Sequence, residues 1–356
     1  MSRVTAKPST TEVLGLLHPV IAEWFSDKFD EITEAQSMAV PIIHGMESVM
    51  VSSPTGSGKT LTAFLSIVNE LTLLASEGRL EDKIYAVYVS PLKALANDIN
   101  ENLLQPLEEL SHRFKAKQMP PPPVRVAVRT GDTLQSERQK QARRPPHIFI
   151  TTPESLALVL STPVFRKKFE GVRYVIVDEV HEVCDSKRGV SLSLSLERLQ
   201  SFCTNSLVRI GLSATVAPIE KVAEFLAGLD DGRPRPIKIV EVLGQRDLNL
   251  KVICPAIDAT TLSFEVANSK MYDLLKEMIE QHRTTLIFTN TRSGTESVVY
   301  KLKERGLEDV GAHHGSLSRE TRLRVEESLR DGRLKAVASS TSLELGIDIG
   351  FIDLVV

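Results

Sequence analysis

Short apolar runs alternate with longer amphipathic stretches along most of this chain. Val49, Met50 and Val51 form an apolar run that breaks at a polar, Gly-containing turn. Leu61, Phe64, Leu65, Val68 and Leu71 then recur at helical spacing. The same strand-then-helix step returns after residues 84–89, 124–128, 148–150, 174–177 and 208–212. Strands of continuous aliphatic residues separated by amphipathic helices predict a parallel sheet covered on both faces, an α/β fold. Polar motifs sit just past the carboxyl end of each strand, where such sheets bind ligands. The pattern breaks at Asp230-Asp231-Gly232-Arg233-Pro234-Arg235-Pro236, which reads as a linker. It restarts with candidate strands at 237–242, 248–253, 286–289, 310–313, 336–339 and 354–356. The expected division is a first domain over 1–235 and a second over 236–356. The first 20 residues are polar and read as an arm that is partly disordered.

A length of 356 residues suits two or three domains, each with its own core. A net charge of −3 does not advertise nucleic acid, although a basic groove can sit on a near-neutral chain. Cys184, Cys203 and Cys254 are odd in number and in no C-x-x-C pair, which argues against a disulfide framework or structural zinc and fits a reducing cytoplasm. The sequence shows neither an apolar signal region nor a membrane span.

The chemistry concentrates at Ser53-Pro54-Thr55-Gly56-Ser57-Gly58-Lys59-Thr60. This matches the phosphate-loop pattern, with Ser53 in place of the first glycine. Thr55, Gly56, Ser57 and Gly58 supply a turn whose backbone N–H groups close around phosphate, and Lys59 supplies a charge for the β- and γ-phosphates of ATP. The Thr60 hydroxyl is placed to ligate Mg²⁺. Downstream, Asp178 at a strand end would hold the same metal, and Glu179 beside it would orient or deprotonate the attacking water. Gln36, upstream of the loop, has an amide able to make paired hydrogen bonds to adenine, yet a lone glutamine is more often a surface residue. His181-Glu182 lacks the second histidine of a zinc helix, and His313-His314 lacks partners at ligand spacing.

Taken in order, residues 53–60, 90–96, 151–156, Asp178-Glu179-Val180-His181, Ser213-Ala214-Thr215, 287–292 and 340–350 resemble the motifs of superfamily 2 helicases. The stretches 178–199, 312–320 and 342–349 are similar to the Lhr-type (large helicase-related) branch. The resemblance covers about residues 25–356. It implies two tandem RecA-like domains with ATP at the cleft between them, Gln36 reading adenine, and Gly346 and Asp348 in the motif that senses both ATP and the strand. It further implies that His181, Ser213 and Thr215 couple the γ-phosphate to a nucleic-acid groove. Pro91, Lys93, Thr152 and Glu154 would track one strand across the first domain, and Thr289, Asn290, Arg292, His314 and Thr341 across the second. The implied partner is single-stranded nucleic acid, DNA ahead of RNA, bound by a monomeric motor moving 3′ to 5′. The family places paired arginines after the strand at 354–356, so the resemblance also implies an N-terminal fragment with an incomplete second domain and poor turnover. The competing readings are an ATP and nucleic-acid binding module without significant hydrolysis, and a different phosphate-loop enzyme.

Overall fold

The computed structural model describes residues 1–54, 57–91, 99–243, 249–254, 263–340 and 352–356. They form two compact units, Met1–Gln245 and Arg246–Val356.

In the first unit an eight-stranded sheet runs β1-β10-β2-β7-β6-β3-β5-β4, every neighbouring pair parallel. The strands are β1 (Ser2–Arg3), β2 (Val49–Ser52), β3 (Ala86–Val89), β4 (Val126–Arg129), β5 (Ile148–Thr151), β6 (Tyr174–Val177), β7 (Val208–Ser213) and β10 (Lys238–Glu241). Alternation across each strand divides the core in two. Val49, Val51, Tyr88, Ile150, Ile176 and Ile210 pack with Phe64, Leu65 and Ile67 of the helix Lys59–Ser76. Met50, Val87, Val89, Phe149, Val175 and Val177 point to the other face. There they meet Leu156 and Leu160 of the helix Pro153–Leu160, Leu192, Leu196 and Leu199 of the helix Lys187–Phe202, and Leu226 of the helix Ile219–Ala227. With both faces covered, the central strands carry almost no exposed polar side chain, as their continuous apolar sequences predict.

The second unit has a four-stranded parallel sheet, β12-β13-β11-β14, built from β11 (Thr285–Phe288), β12 (Val310–His313), β13 (Ala336–Ser339) and β14 (Leu354–Val355). Ile287, Ala336 and Ala338 pack under Leu275 and Ile279 of the helix Phe264–Gln281 and Val298, Val299 and Leu302 of the helix Arg292–Lys303. Leu286 and Val337 face Leu329 of the helix Arg319–Arg330.

Four expectations are corrected. The stretch 230–236 is not a linker: β8 (Leu229–Asp230) and β9 (Arg233–Pro234) pair as a small antiparallel ribbon. Arg235 then grips Glu197, with Nη1 and Nη2 donating to its two carboxylate oxygens at 2.7 and 2.8 Å. The strand expected to open the second domain, β10, pairs instead with β2 in the first sheet. The N-terminal arm is ordered at its start, where β1 adds to β10 and Arg3 bridges Glu220 and Glu241. Of the strand expected at 248–253, residues 249–253 belong to none, with Leu250 and Val252 exposed, and Leu248 lies outside the described residues.

The Glu197 carboxylate also accepts from Nη1 of Arg209, which is only 2% exposed inside β7. Removing one partner of a buried charge pair leaves the other uncompensated. Glu197→Ala is therefore expected to cost about 2–3 kcal/mol, allowing for its partial exposure, whereas Arg235→Ala, which leaves the Arg209–Glu197 pair intact, costs about 1 kcal/mol or less. Urea unfolding followed by the fluorescence of Trp24, the single tryptophan and buried in this unit, checks both values.

Candidate functional site

β2 delivers the chain into the loop at 53–58, and the helix Lys59–Ser76 leaves it. Gly58 caps that helix with φ +76°, a left-handed conformation suited to glycine, and no side chain caps the first turn. A Cβ at Gly58 would lie 2.7 Å from Gln36 Nε2, so the close approach also needs glycine. Ser53, in the place of the first motif glycine, is buried and shares a 2.6 Å hydrogen bond between its Oγ and that of Ser57. The substitution thus closes the loop by a hydroxyl pair.

Lys59 is buried, and its Nζ donates to the loop's own carbonyls, Ser53 O at 2.5 Å and Pro54 O at 3.3 Å. Burial pulls its ammonium below the ordinary lysine value, against the opposing pull of Glu179 and Asp178. Asp178, 6% exposed at the end of β6, accepts from the Tyr88 hydroxyl and, at 2.9 Å, from the Glu179 N–H. Burial nonetheless pushes its carboxyl above the usual range. Glu179 itself sits at φ +45°, and the sharp turn aims its carboxylate toward His181, with Oε2 3.4 Å from Nδ1. Nδ1 of His181 also meets Ser213 Oγ at 3.0 Å, and burial lowers this imidazole's basicity.

The end of β7 is wired to the loop in turn. Ser52 Oγ donates to Ala214 O at 3.1 Å, and Ser53 N–H donates to Ser213 O at 3.2 Å. Lys59, Asp178, Glu179, His181 and Ser213 therefore come together at the carboxyl ends of adjacent strands. Thr60 lies in the first turn of the helix, and Thr215 is exposed just past β7.

The donor set suits a nucleoside triphosphate with a divalent cation. Among the described residues the buried cation is satisfied by backbone carbonyls alone and the helix N-terminus carries no side-chain cap, while a desolvated carboxylate lies close enough to act on the same lysine. When bound, Mg²⁺ would be held by Asp178 and Thr60 and would neutralise charge on the phosphates. Beside the loop, Lys28, Phe29, Glu31, Thr33, Gln36, Gly58, Leu61, Asn102, Gln105 and Pro106 line a cavity of about 520 Å³.

Gln36 reaches that cavity with half of its amide engaged. Its Oε1 accepts from the Thr33 N–H at 3.0 Å while Thr33 Oγ1 accepts from the Gln36 N–H at 3.3 Å, a reciprocal cap on the helix Glu34–His44. Thr33 Oγ1 also donates to Ser57 O at 2.9 Å. The signal for this cap, Thr-x-x-Gln, is present in the sequence. Tyr88 and Gln105 carried no such signal.

Among the strand-tracking candidates, Thr152 caps the helix Pro153–Leu160, accepting from the Ser155 N–H. Glu154 Oε1 accepts from Arg188 Nε at 2.7 Å, and Pro91 O accepts from Arg188 Nη2 at 2.9 Å. In the second unit Thr289 Oγ1 shares a 2.7 Å hydrogen bond with Thr295 Oγ1, and Arg292 Nη1 donates to Ser316 Oγ at 2.7 Å. His314 is buried with Nε2 2.7 Å from Glu296 Oε1, while Asn290 is exposed. Thr55, Gly56, Lys93, Thr341, Gly346 and Asp348 lie outside the described residues.

The DEAD/DEAH box helicase family matches residues 33–224, and the helicase conserved C-terminal domain matches residues 268–356. The chain is 56% identical over 350 residues to the ATP-dependent helicase Lhr-Core of Methanothermobacter thermautotrophicus, covering 97% of this chain and 40% of that protein. It is 35% identical over 390 residues to the Lhr helicase/uracil glycosylase of Escherichia coli, covering 95% of this chain and 25% of the other. Among solved structures, Mycobacterium smegmatis helicase Lhr bound to ssDNA and AMP-PNP superposes with a TM-score of 0.83 at 39% identity, over 96% of this chain and 44% of that one. The chain thus spans about two fifths of the length of its Lhr-Core relative. Similar structures are two-domain, RecA-like superfamily 2 helicases, in agreement with the two parallel sheets. A match that runs from Thr33 through the loop at Lys59, the acidic end of β6 and the His181–Ser213 contact places this chain in the DEAD/DEAH box helicase family.

Proposed function

We propose that this chain is the ATP-hydrolysing, strand-tracking part of a helicase that moves 3′ to 5′ along single-stranded DNA. The observation that carries the reading is the convergence of Lys59, Asp178 and Glu179 on one loop, with His181 and Ser213 joining the acidic turn to the next strand. Lys59 exchanges two backbone carbonyls for phosphate oxygens. Glu179 positions and deprotonates the attacking water, and His181 passes the change at its turn to Ser213. Adenine occupies the cavity beside Phe29, where Gln36 presents Nε2 with its amide plane already fixed by Thr33. The kinship with a helicase solved with ssDNA and AMP-PNP supports DNA as the strand and ATP as the nucleotide.

The two central residues separate experimentally. Lys59→Ala removes the buried cation, so AMP-PNP binding weakens by about tenfold or more and turnover is lost. Glu179→Gln keeps shape and hydrogen bonding, so affinity stays within about threefold while hydrolysis is lost. Calorimetric titration alongside steady-state ATPase assays measures both, and equal loss of affinity in the two variants contradicts the roles assigned.

On the strand side, contacts to phosphate rather than to bases make binding sequence-tolerant and salt-sensitive. Labelled single strands of different sequence and matched length are expected to bind alike. Each should lose about tenfold or more in affinity between about 50 and 200 mM salt, with DNA ahead of RNA. A fixed sequence preference with a flat salt response in anisotropy titrations counts against the proposal.

A further inference from the structure

Arg188 lies in the first turn of the helix Lys187–Phe202, and its guanidinium makes two directed contacts. Nη2 donates to Pro91 O at 2.9 Å, and Nε donates to Glu154 Oε1 at 2.7 Å. Pro91 follows β3 and Glu154 follows β5, so one planar group bridges the two segments assigned to the strand in this unit. A lysine ammonium lacks the rigid fork needed to hold both at once.

On its other side the same turn rests on the loop that begins at Asp178. A Cβ on Gly189 would lie 2.1 Å from Val183 O, so the helix backbone sits directly against that carbonyl. Ser186 Oγ donates to Val183 O at 2.8 Å and accepts from the Gly189 N–H at 3.3 Å. The Val183 and Cys184 N–H groups both donate to Val180 O at 3.1 Å. The path from Asp178 through Val180, Val183 and Gly189 to Arg188 is therefore a chain of packed, hydrogen-bonded groups, the kind of contiguous network that can carry energetic coupling. The Arg188–Glu154 pair itself is 44% and 55% exposed, and exposed pairs contribute little to folding stability. Its value lies in geometry.

We infer that Arg188 is a positioning residue that couples nucleotide occupancy at Asp178 and Glu179 to the affinity of this unit for a nucleic-acid strand. The inference rests on the proposed strand-tracking role of the Pro91 and Glu154 segments. Anisotropy titrations of the 356-residue chain with a labelled oligo-dT strand, with and without AMP-PNP and Mg²⁺, test it. In the unaltered chain the nucleotide is expected to shift strand affinity by about fivefold or more, the lower end of ordinary coupling between sites. In Arg188→Ala that shift falls below about twofold while AMP-PNP affinity and the unfolding midpoint stay unchanged. Arg188→Lys retains the positive charge, so it keeps strand affinity without nucleotide near the original value yet remains uncoupled. The inference is overturned if Arg188→Ala keeps the original shift, if it weakens strand binding equally in both states, or if Arg188→Lys restores full coupling. An unaltered chain that binds the strand with no nucleotide shift also overturns it and leaves the proposed function standing. An unaltered chain that binds no strand contradicts the proposed function itself.

Discussion

Two opposite charges held out of water past the ends of β2 and β6, with β7 between them, set the terms for this structure. Lys59 satisfies itself on the carbonyls of Ser53 and Pro54, and Asp178 on the hydroxyl of Tyr88 and the amide of Glu179. Neither contact is a full ion pair, and desolvation disfavours the charged form of both. Burying charge without close compensation is costly, and a fold keeps such an arrangement where a ligand will complete it. On the proposed function, a triphosphate with its cation would supply the missing negative charge to Lys59 and positive charge to Asp178. The eight-stranded sheet gives the rigidity this requires: β2, β7 and β6 are adjacent, so the loop, the Ser213 turn and the acidic turn share one edge. Cross-links from Ser52 and Ser53 to β7, and from Ser213 to His181, make that edge a connected polar layer over an apolar core.

Much of this was legible in the sequence because it is written locally. Continuous aliphatic runs gave the parallel strands, and the Gly-rich turn between an apolar run and a helical repeat gave the cradle. The errors came where distant residues decide. Asp230 to Pro236 has linker composition, yet Arg235 is claimed by Glu197, 38 positions away. β10 looked like the start of a new domain, although its partner, β2, lies nearly two hundred residues upstream. The polar N-terminus gained order for the same reason, from β10 and from Glu220.

The site shows the same division. Lys59, Asp178 and Glu179 were singled out from spacing and residue type, and the fold brings them together past the carboxyl ends of β2 and β6. Tyr88 was read as a strand residue, since nothing in its neighbourhood announces a hydroxyl aimed at Asp178. Gln36 was read through its possible ligand, whereas the Thr33 cap that fixes its amide is a local signal with a plain physical meaning. Thr152 likewise serves its helix first, so its hydroxyl does structural work at the place expected to meet a strand.

The central claim is that Lys59 and Asp178 are held in place for a nucleotide and its metal. A crystal structure of this chain with AMP-PNP and Mg²⁺ tests it most directly. The account predicts that Lys59 Nζ leaves Ser53 O for phosphate oxygens, that Asp178 and Thr60 face the metal, and that adenine enters the cavity between Phe29 and Gln36. A nucleotide bound elsewhere, or one bound at this loop with Lys59 still on the Ser53 carbonyl, would contradict it.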